Sequence, residues 1–447
     1  MALSGLEIYK YLPKENCKEC GVATCLAFAM KVAGGQAGLD ACPRLSDEAK
    51  TSLGEASAPP QQLVRIGAGE KAIEIGQETV LFRHEDKFHH PTAVAVCVND
   101  GLDASALEER CKAIAALSFD RMGKTMGVDL VAVYNASGDS GRFVEAAKTA
   151  NATAKKPLAL ISPDPGGLRA AAEAVKNERP LLWAMRADQD LDAVIAAAKD
   201  LALPLCLEAD GFEGLAAAAE KTRGAGLKEL VLSPGKTSTS AGLEFLAQSR
   251  RAAIAKKFRP MGFPIAMLAM DDDPLKAVVD ASWYVLKYAG IVVTNSVQPE
   301  QLLAILTTRQ DIYADPQVPV QVTPGLHTVG DPGPNAPVLV TTNFALSYYS
   351  VESEVESSRV ASNIIAVDTE GTSVLTAWAA DKFTAESIAK ALSETAVAEK
   401  VSHKKVVIPG LVAVLSGSLQ DDSGWDVIVG PREASGLVSF LKSQWKA

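Results

Sequence analysis

The sequence predicts an α/β protein of three parts: a small N-terminal metal module, a central (β/α)8 TIM barrel and a C-terminal doubly wound Rossmann-like domain. Three observations carry this. Four of the seven cysteines fall within the first 42 residues. Short apolar runs and helical stretches then alternate eight times. Finally, the alternation resumes on a smaller scale beyond a Pro/Gly-rich stretch. A chain of 447 residues has room for two to four domains at roughly 100–200 residues each.

Composition narrows the function classes. With 48% hydrophobic and 22% charged residues the chain is globular rather than disordered. Its 44 basic against 54 acidic residues give a net charge of −10, which disfavours nucleic acid and anionic membranes. No uninterrupted apolar run reaches the roughly 18 residues of a membrane span, and the N-terminus lacks a basic-then-apolar leader. The expected compartment is a reducing cytoplasm, where clustered cysteines more often hold metal than form disulfides.

The first part is expected to span 1–57. It contains Cys17-x2-Cys20-x4-Cys25-x16-Cys42, with Pro43 directly after the last cysteine. Four soft thiolates suit a [4Fe–4S] cluster or a tetrahedral zinc. Three close cysteines and one remote Cys-Pro are the commoner cluster arrangement. Gly21 lets the backbone approach the sulfurs. Cys97, Cys111 and Cys206 lie in core patterns and read as buried structural thiols.

A linker and β-hairpin are expected over 58–90, opening with the Pro-containing stretch around Ala58–Gln62. The barrel is expected over 91–311. Its strands read from 92–98, 128–134, 157–162, 180–185, 203–208, 228–233, 263–269 and 290–295, all continuous apolar runs as for strands buried on both faces. Polar residues end these runs: Asn99, Asp100, Asn135, Asp164, Asp188, Asp210, Asp271, Thr294 and Asn295. They suit either an active site at the barrel mouth or ordinary helix caps. The five histidines show no ligand spacing, and neither a P-loop nor a G-x-S-x-G elbow occurs.

A second linker is expected over 312–326, within a Pro/Gly-rich region that continues to Pro337, and the last domain over 327–447. Its strands read from VLVTT (338–342), IIAVD (364–368), VVIPG (406–410) and WDVIVG (425–430). In an open parallel sheet, ligands lie outside the carboxyl ends of the strands. Those ends carry Thr341, Thr342 and Asn343; Thr369, Glu370, Gly371, Thr372 and Ser373; Pro409 and Gly410; and Gly430, Pro431, Arg432, Glu433 and Ala434. Small residues and glycines there leave room for a large planar ligand and offer N–H and hydroxyl groups to its rim.

The cysteine spacing, the barrel, and the segments VLVTTNFALSYY and DTEGTSVLTAW together resemble the large (gamma) subunits of the corrinoid/iron–sulfur protein of the reductive acetyl-CoA (Wood–Ljungdahl) pathway. The resemblance covers essentially the whole chain and implies a methyl carrier rather than an enzyme acting alone. It implies a corrinoid that takes a methyl group from methyltetrahydrofolate, through a methyltransferase, as Co(I). Methyl-Co(III) would then deliver it to acetyl-CoA synthase/CO dehydrogenase. It also implies a heterodimer with a small subunit. The cluster ligands carry over to Cys17, Cys20, Cys25 and Cys42, and the corrinoid contacts to the strand-end residues named above and to Leu346. No D-x-H-x-x-G segment is present to bind cobalt from below, so a base-off corrinoid, reactivated from Co(II) by the cluster, is expected. Two other readings remain: a pterin-dependent barrel methyltransferase with a structural cluster, and a ferredoxin-linked flavoprotein.

Overall fold

The computed structural model describes residues 4–33, 36–46, 49, 53, 59–185 and 190–446. Asp188, Ala58 and the expected boundary at residue 57 lie outside the described residues. The chain divides into two compact units: Met1–Leu117 with Gly127–Tyr313, and Ser118–Met126 with Ala314–Ala447.

In the first unit, helices Gly5–Tyr11 and Cys25–Ala33 pack around a small core of Ile8, Leu12, Cys25, Phe28, Cys42 and Leu45. Ser4 and Glu7 form a capping box that fixes the start of the first helix. The antiparallel pair β1 (Leu63–Ile66) and β2 (Ile73–Gly76) follows. Val64, Ile66 and Ile75 share a core with the inward residues of the barrel, so the hairpin plugs its N-terminal end.

The barrel comprises β3 (Ala93–Asn99), then, after the short pair β4 (Ser118–Arg121) and β5 (Lys124–Gly127), β6 (Leu130–Tyr134), β7 (Leu158–Ser162), β8 (Leu181–Ala184), β9 (Leu205–Glu208), β10 (Leu230–Ser233), β11 (Ala266–Ala269) and β12 (Ile291–Thr294). All eight expected barrel strands form, and every pairing between them is parallel. The order β10-β9-β8-β7-β6-β3-β12-β11 nearly closes on itself. A single parallel bridge, Leu232 to Ile265, joins its two ends. Alternate residues such as Ala95, Ala132, Ile161, Trp183 and Val293 fill the interior. Among the described residues, no helix is long and apolar enough to cross a membrane.

The second unit is built on β13 (Gly325–Val329), β14 (Val338–Thr342), β15 (Ser362–Val367), β16 (Lys405–Ile408) and β17 (Asp426–Val429), in the order β13-β15-β14-β16-β17. The last four strands are parallel; β13 is an antiparallel edge. This strand departs from expectation, because the sequence reads its residues as linker running into domain. Gly325 and Gly330 both have positive φ, and the five residues between the two turns pair with β15. Helices cover both faces. Ala345–Ser358 and Leu437–Ser443 pack on one, and Val374–Ala379, Ala385–Glu394 and Ser416–Ser423 on the other.

The sequence reads 107–123 as one helical stretch, but the helix ends at Ala116, where the Leu117 N–H closes on Ile114, and Ser118–Arg121 forms β4. Ser118–Met126 of the β4–β5 hairpin groups with this second unit although it lies between two barrel strands in the chain. Met122 at its tip joins the core of Tyr348, Tyr349 and Val355.

Candidate cofactor site

The strand order reverses between β14 and β16: from β14 the chain first runs outward to β15, then returns to β16 on the other side. Crossovers on either side of such a point go to opposite faces and leave a crevice at the carboxyl ends of the strands. A cleft of about 310 Å³ lies there. Leu339, Val340, Val407 and Ile408 form its floor; Phe344, Leu346, Val351, Leu411 and Leu437 supply apolar walls. Polar groups come from Thr341, Ser347, Ser350, Ser373, Arg432 and Glu433.

Of the expected contacts, Thr341, Leu346, Ser373, Gly430, Pro431, Arg432, Glu433 and Ala434 line this cleft. Thr342, Asn343, Thr369, Glu370, Gly371, Thr372 and Gly410 are not among the lining residues. Gly410 backs the loop after β17, and its N–H donates to the Pro431 carbonyl at 3.0 Å. Thr342 is fully buried, and its Oγ1 has no hydrogen-bond partner. Sequence reasoning missed Phe344, Ser347, Ser350 and Val351. Ser350 follows from Leu346 at i+4 on the same helix, and Ser347 pairs at i+3 and i+4 with Ser350 and Val351; Phe344, the residue that caps this helix, leaves no such signal.

Leu346 on the cleft wall is 62% exposed; Leu375, Trp378 and Val414, on helical elements that contribute Val374 and Leu411 to that wall, are 47%, 42% and 71% exposed. Neither histidine of this unit lines the cleft. His327 Nε2 sits 2.8 Å from the Thr323 carbonyl, and His403 is engaged at both nitrogens, by the Ala336 carbonyl and the Lys405 N–H.

The cysteine module is organised by two features. Asn16 Oδ1 accepts the Cys25 N–H at 2.8 Å, fixing the start of the second helix at a cysteine. Arg44, two residues after Cys42, reaches Glu15 at 2.7 Å and Glu19 at 2.5 Å, on either side of Cys17. These pairs are half exposed and add little stability. They tie the remote Cys-Pro segment to the Cys17–Cys20 loop. That loop turns through Asn16, Lys18 and Gly21, all at positive φ, and the Gly21 N–H donates to the Lys18 carbonyl at 2.9 Å. Among the described residues, no three Cys, His, Asp or Glu side chains gather to hold a single metal ion. Four thiolates suit an iron–sulfur cluster by their chemistry; the structure buries Cys25 and Cys42 in one core with Cys20 packed against it, and Cys17 lies outside that core. By contrast, burial pushes the Cys97 and Cys111 thiols up to about 11 and raises Cys206 further, as for inert core thiols.

At the barrel mouth, the polar strand-end residues bond within their own loops and to the neighbouring ones. Asp164 caps helix Pro165–Ala174 through the Gly166 and Gly167 N–H groups. Asp100 accepts from Ala136 and Ser137, and Asn135 exchanges bonds with Ser162 and Gly138. Asn99 accepts the Gly101 N–H, Thr294 accepts from Ser296, and Asn295 donates to the Asp271 carbonyl. Asp271 is held below the usual carboxylate range by Lys276. Asp210 heads its helix without a side-chain cap.

A family model described as CO dehydrogenase/acetyl-CoA synthase delta subunit matches residues 63–441, and an Fe-S cluster family matches residues 12–44. The chain is 45% identical to the corrinoid/iron-sulfur protein large subunit of Moorella thermoacetica, over 99% of both chains. It is 37% identical to the acetyl-CoA decarbonylase/synthase complex subunit gamma of Archaeoglobus fulgidus, over 99% of this chain and 98% of that one. The Methanopyrus kandleri subunit of the same name is 35% identical over the same shares. Among solved structures, dihydropteroate synthase from Coxiella burnetii aligns with 56% of this chain and 99% of its own at 14% identity; its TM-score of 0.41 carries no argument. By its full-length relatives and its family match, the chain belongs to the family of corrinoid/iron–sulfur protein large subunits of the acetyl-CoA synthase system.

Proposed function

We propose that this chain is a methyl carrier that holds a base-off corrinoid in the cleft of the β13–β17 unit and a [4Fe–4S] cluster on Cys17, Cys20, Cys25 and Cys42. In this reading residues 1–57 form the cluster domain, 91–311 the barrel and 327–447 the corrinoid domain. The bound corrinoid supplies a nucleophilic cobalt that accepts the methyl group of methyltetrahydrofolate, through a methyltransferase, and yields it to acetyl-CoA synthase. The partners are that methyltransferase, acetyl-CoA synthase/CO dehydrogenase and a small subunit, and the setting is the cytoplasm.

The observation that carries this is the cleft at the strand-order reversal. Its walls suit a flat macrocycle with apolar faces, and Thr341, Ser347, Ser350 and Ser373 suit the amide rim. The exposed Leu346, Trp378 and Val414 suit a rim that a partner or the macrocycle covers. With no histidine on the cleft wall, this chain offers no strong nitrogen donor to the lower face, which makes the cobalt easier to reduce. A low-potential cluster on the cysteine module suits that reactivation.

The test is metal analysis and the absorption spectrum of the anaerobically purified protein. The expected result is cobalt near one per chain, about four irons per chain, and corrinoid bands over a broad cluster shoulder. A yellow flavin spectrum without cobalt overturns the proposal.

A further inference from the structure

The residue that closes β14, Asn343, is fully buried beside the cleft but does not line it. Its side chain is spent on the protein. Nδ2 donates to Gln321 Oε1 at 3.1 Å and to Asp368 Oδ1 at 3.3 Å. Oδ1 accepts the Thr369 N–H at 2.9 Å, the Gly371 N–H at 3.1 Å and the Thr369 hydroxyl at 3.0 Å. A carboxamide has two donors and two acceptor lone pairs, so no capacity is left for a ligand.

The groups it holds form one loop. Glu370 and Gly371 are both left-handed, at φ 53° and 68°, and this turn directs the loop's inward N–H groups onto a single oxygen. A Cβ on Gly371 would stand 2.5 Å from Gln321 Cγ, so the loop, Gln321 and Asn343 interlock. Thr372 Oγ1 closes the turn on the Thr369 carbonyl at 2.7 Å. The next two residues, Ser373 and Val374, line the cleft.

We propose that Asn343 is a positioning residue: it does not touch the corrinoid, but fixes the loop after β15 so that Ser373 and Val374 form the cleft wall. This rests on the carrier reading above. Removing the carboxamide leaves two buried N–H groups without an acceptor, a loss on the order of ten- to a hundredfold in the population of the closed loop.

The experiment measures amide hydrogen exchange of the full chain freed of corrinoid, and then uptake of added cobalamin, for the wild type, Asn343→Leu and Asn343→Asp. Asn343→Asp, made throughout together with Asp368→Asn so that a donor and not a second carboxylate faces the new oxygen, keeps the accepting oxygen. In Asn343→Leu, exchange at Thr369 and Gly371 is expected to quicken by roughly ten- to a hundredfold relative to amides inside β14 and β15, and cobalamin uptake to fall with it. Asn343→Asp is expected to keep both. Iron content should stay the same in all three. Unchanged exchange at Thr369 and Gly371 in Asn343→Leu overturns the proposal. So does loss of cobalamin by Asn343→Asp with both amides still protected, because the carboxamide would then be touching the ligand. If Asn343→Leu loses protection throughout β14 and β15, the Asn343→Asp arm decides: protected Thr369 and Gly371 amides with cobalamin uptake kept support the proposal, and loss of either overturns it. A wild-type chain that takes up no cobalamin overturns the carrier reading instead, and the exchange arm, needing no ligand, tells the two failures apart.

Discussion

Gly410 and Gly430 meet back to back where β16 and β17 end: a Cβ on Gly410 would stand 2.5 Å from the Gly430 carbonyl oxygen. The two loops that close this side of the cleft are therefore packed backbone to backbone. Gly410 donates to Pro431, and Gly430 donates to Ile408. Neither loop can take a side chain without moving the other, and Pro431 and Arg432 on the cleft wall would move with it.

Gly410→Ala is expected to cost about 1–3 kcal/mol, the usual range for overpacking, and to lower cobalamin uptake. Gly417→Ala is the matched control. Nothing lies within 4 Å of a Cβ there, and it sits in a helix, so it should stabilise by about 0.5–1 kcal/mol. Urea midpoints of the full chain check both.

At Gly123 the hairpin tip turns at φ 69°, and a Cβ would clash with the Tyr349 hydroxyl. Gly123→Ala should destabilise the second unit by about 1–3 kcal/mol through strain and clash. Adding Tyr349→Phe removes the clashing oxygen and should restore part of the loss. A double-mutant cycle reads the coupling; additive effects would mean that the tip does not rest on Tyr349.

Glu78 is buried, its Oε1 has no partner, and burial raises its carboxyl to about 7 against the opposing pull of Arg250. Arg250 in turn stacks on Phe88 and Tyr288 at 4.9 and 4.6 Å. Because the folded value lies above the unfolded 4.5, the native state binds the proton more tightly. Its stabilisation is complete below the unfolded value and is lost as pH rises through about 7. Glu78→Gln should remove a fall of about 2.5 kcal/mol between pH 5 and pH 8, as urea unfolding at the two values would show. An identical slope in the variant would refute the assignment.

For the cysteine module, Cys42→Ser should lower bound iron to well under half, since an oxygen ligand replaces a thiolate. Arg44→Ala should leave the purified iron content near the wild-type value but speed its loss to a chelator severalfold, because Arg44 holds the Cys42 segment to Glu15 and Glu19. Iron and sulfide assays over time separate the two effects.

Much of the fold was legible in the chain. Eight continuous apolar runs, each followed by a helical stretch, dictate buried parallel strands, because short crossovers leave no other way to cover both faces. The caps at Asp103, Asp139, Asp164 and Asp273 were equally local, each carboxylate accepting N–H groups two or three residues on. At the cleft, the sequence pointed to strand ends that line it but could not separate residues that face the cavity from those that hold its walls. Asn343 and Ser373 look alike in sequence, and only hydrogen bonds across β14 and β15 set them apart.

The sequence alone, then, determined the four thiols at one end, the barrel alternation and the loops at the carboxyl ends of the last strands, all from local periodicity and residue chemistry. Tertiary structure decided the rest. It paired Gly325–Val329 with β15, brought Arg44 to Glu15 and Glu19, grouped Ser118–Met126 with the C-terminal unit, and turned Asn343 away from the cleft. Each of these joins residues far apart in the chain, through an edge hydrogen bond, an ion pair or a buried contact. Such partners leave no periodic trace in the sequence, because they are selected by packing and not by their neighbours.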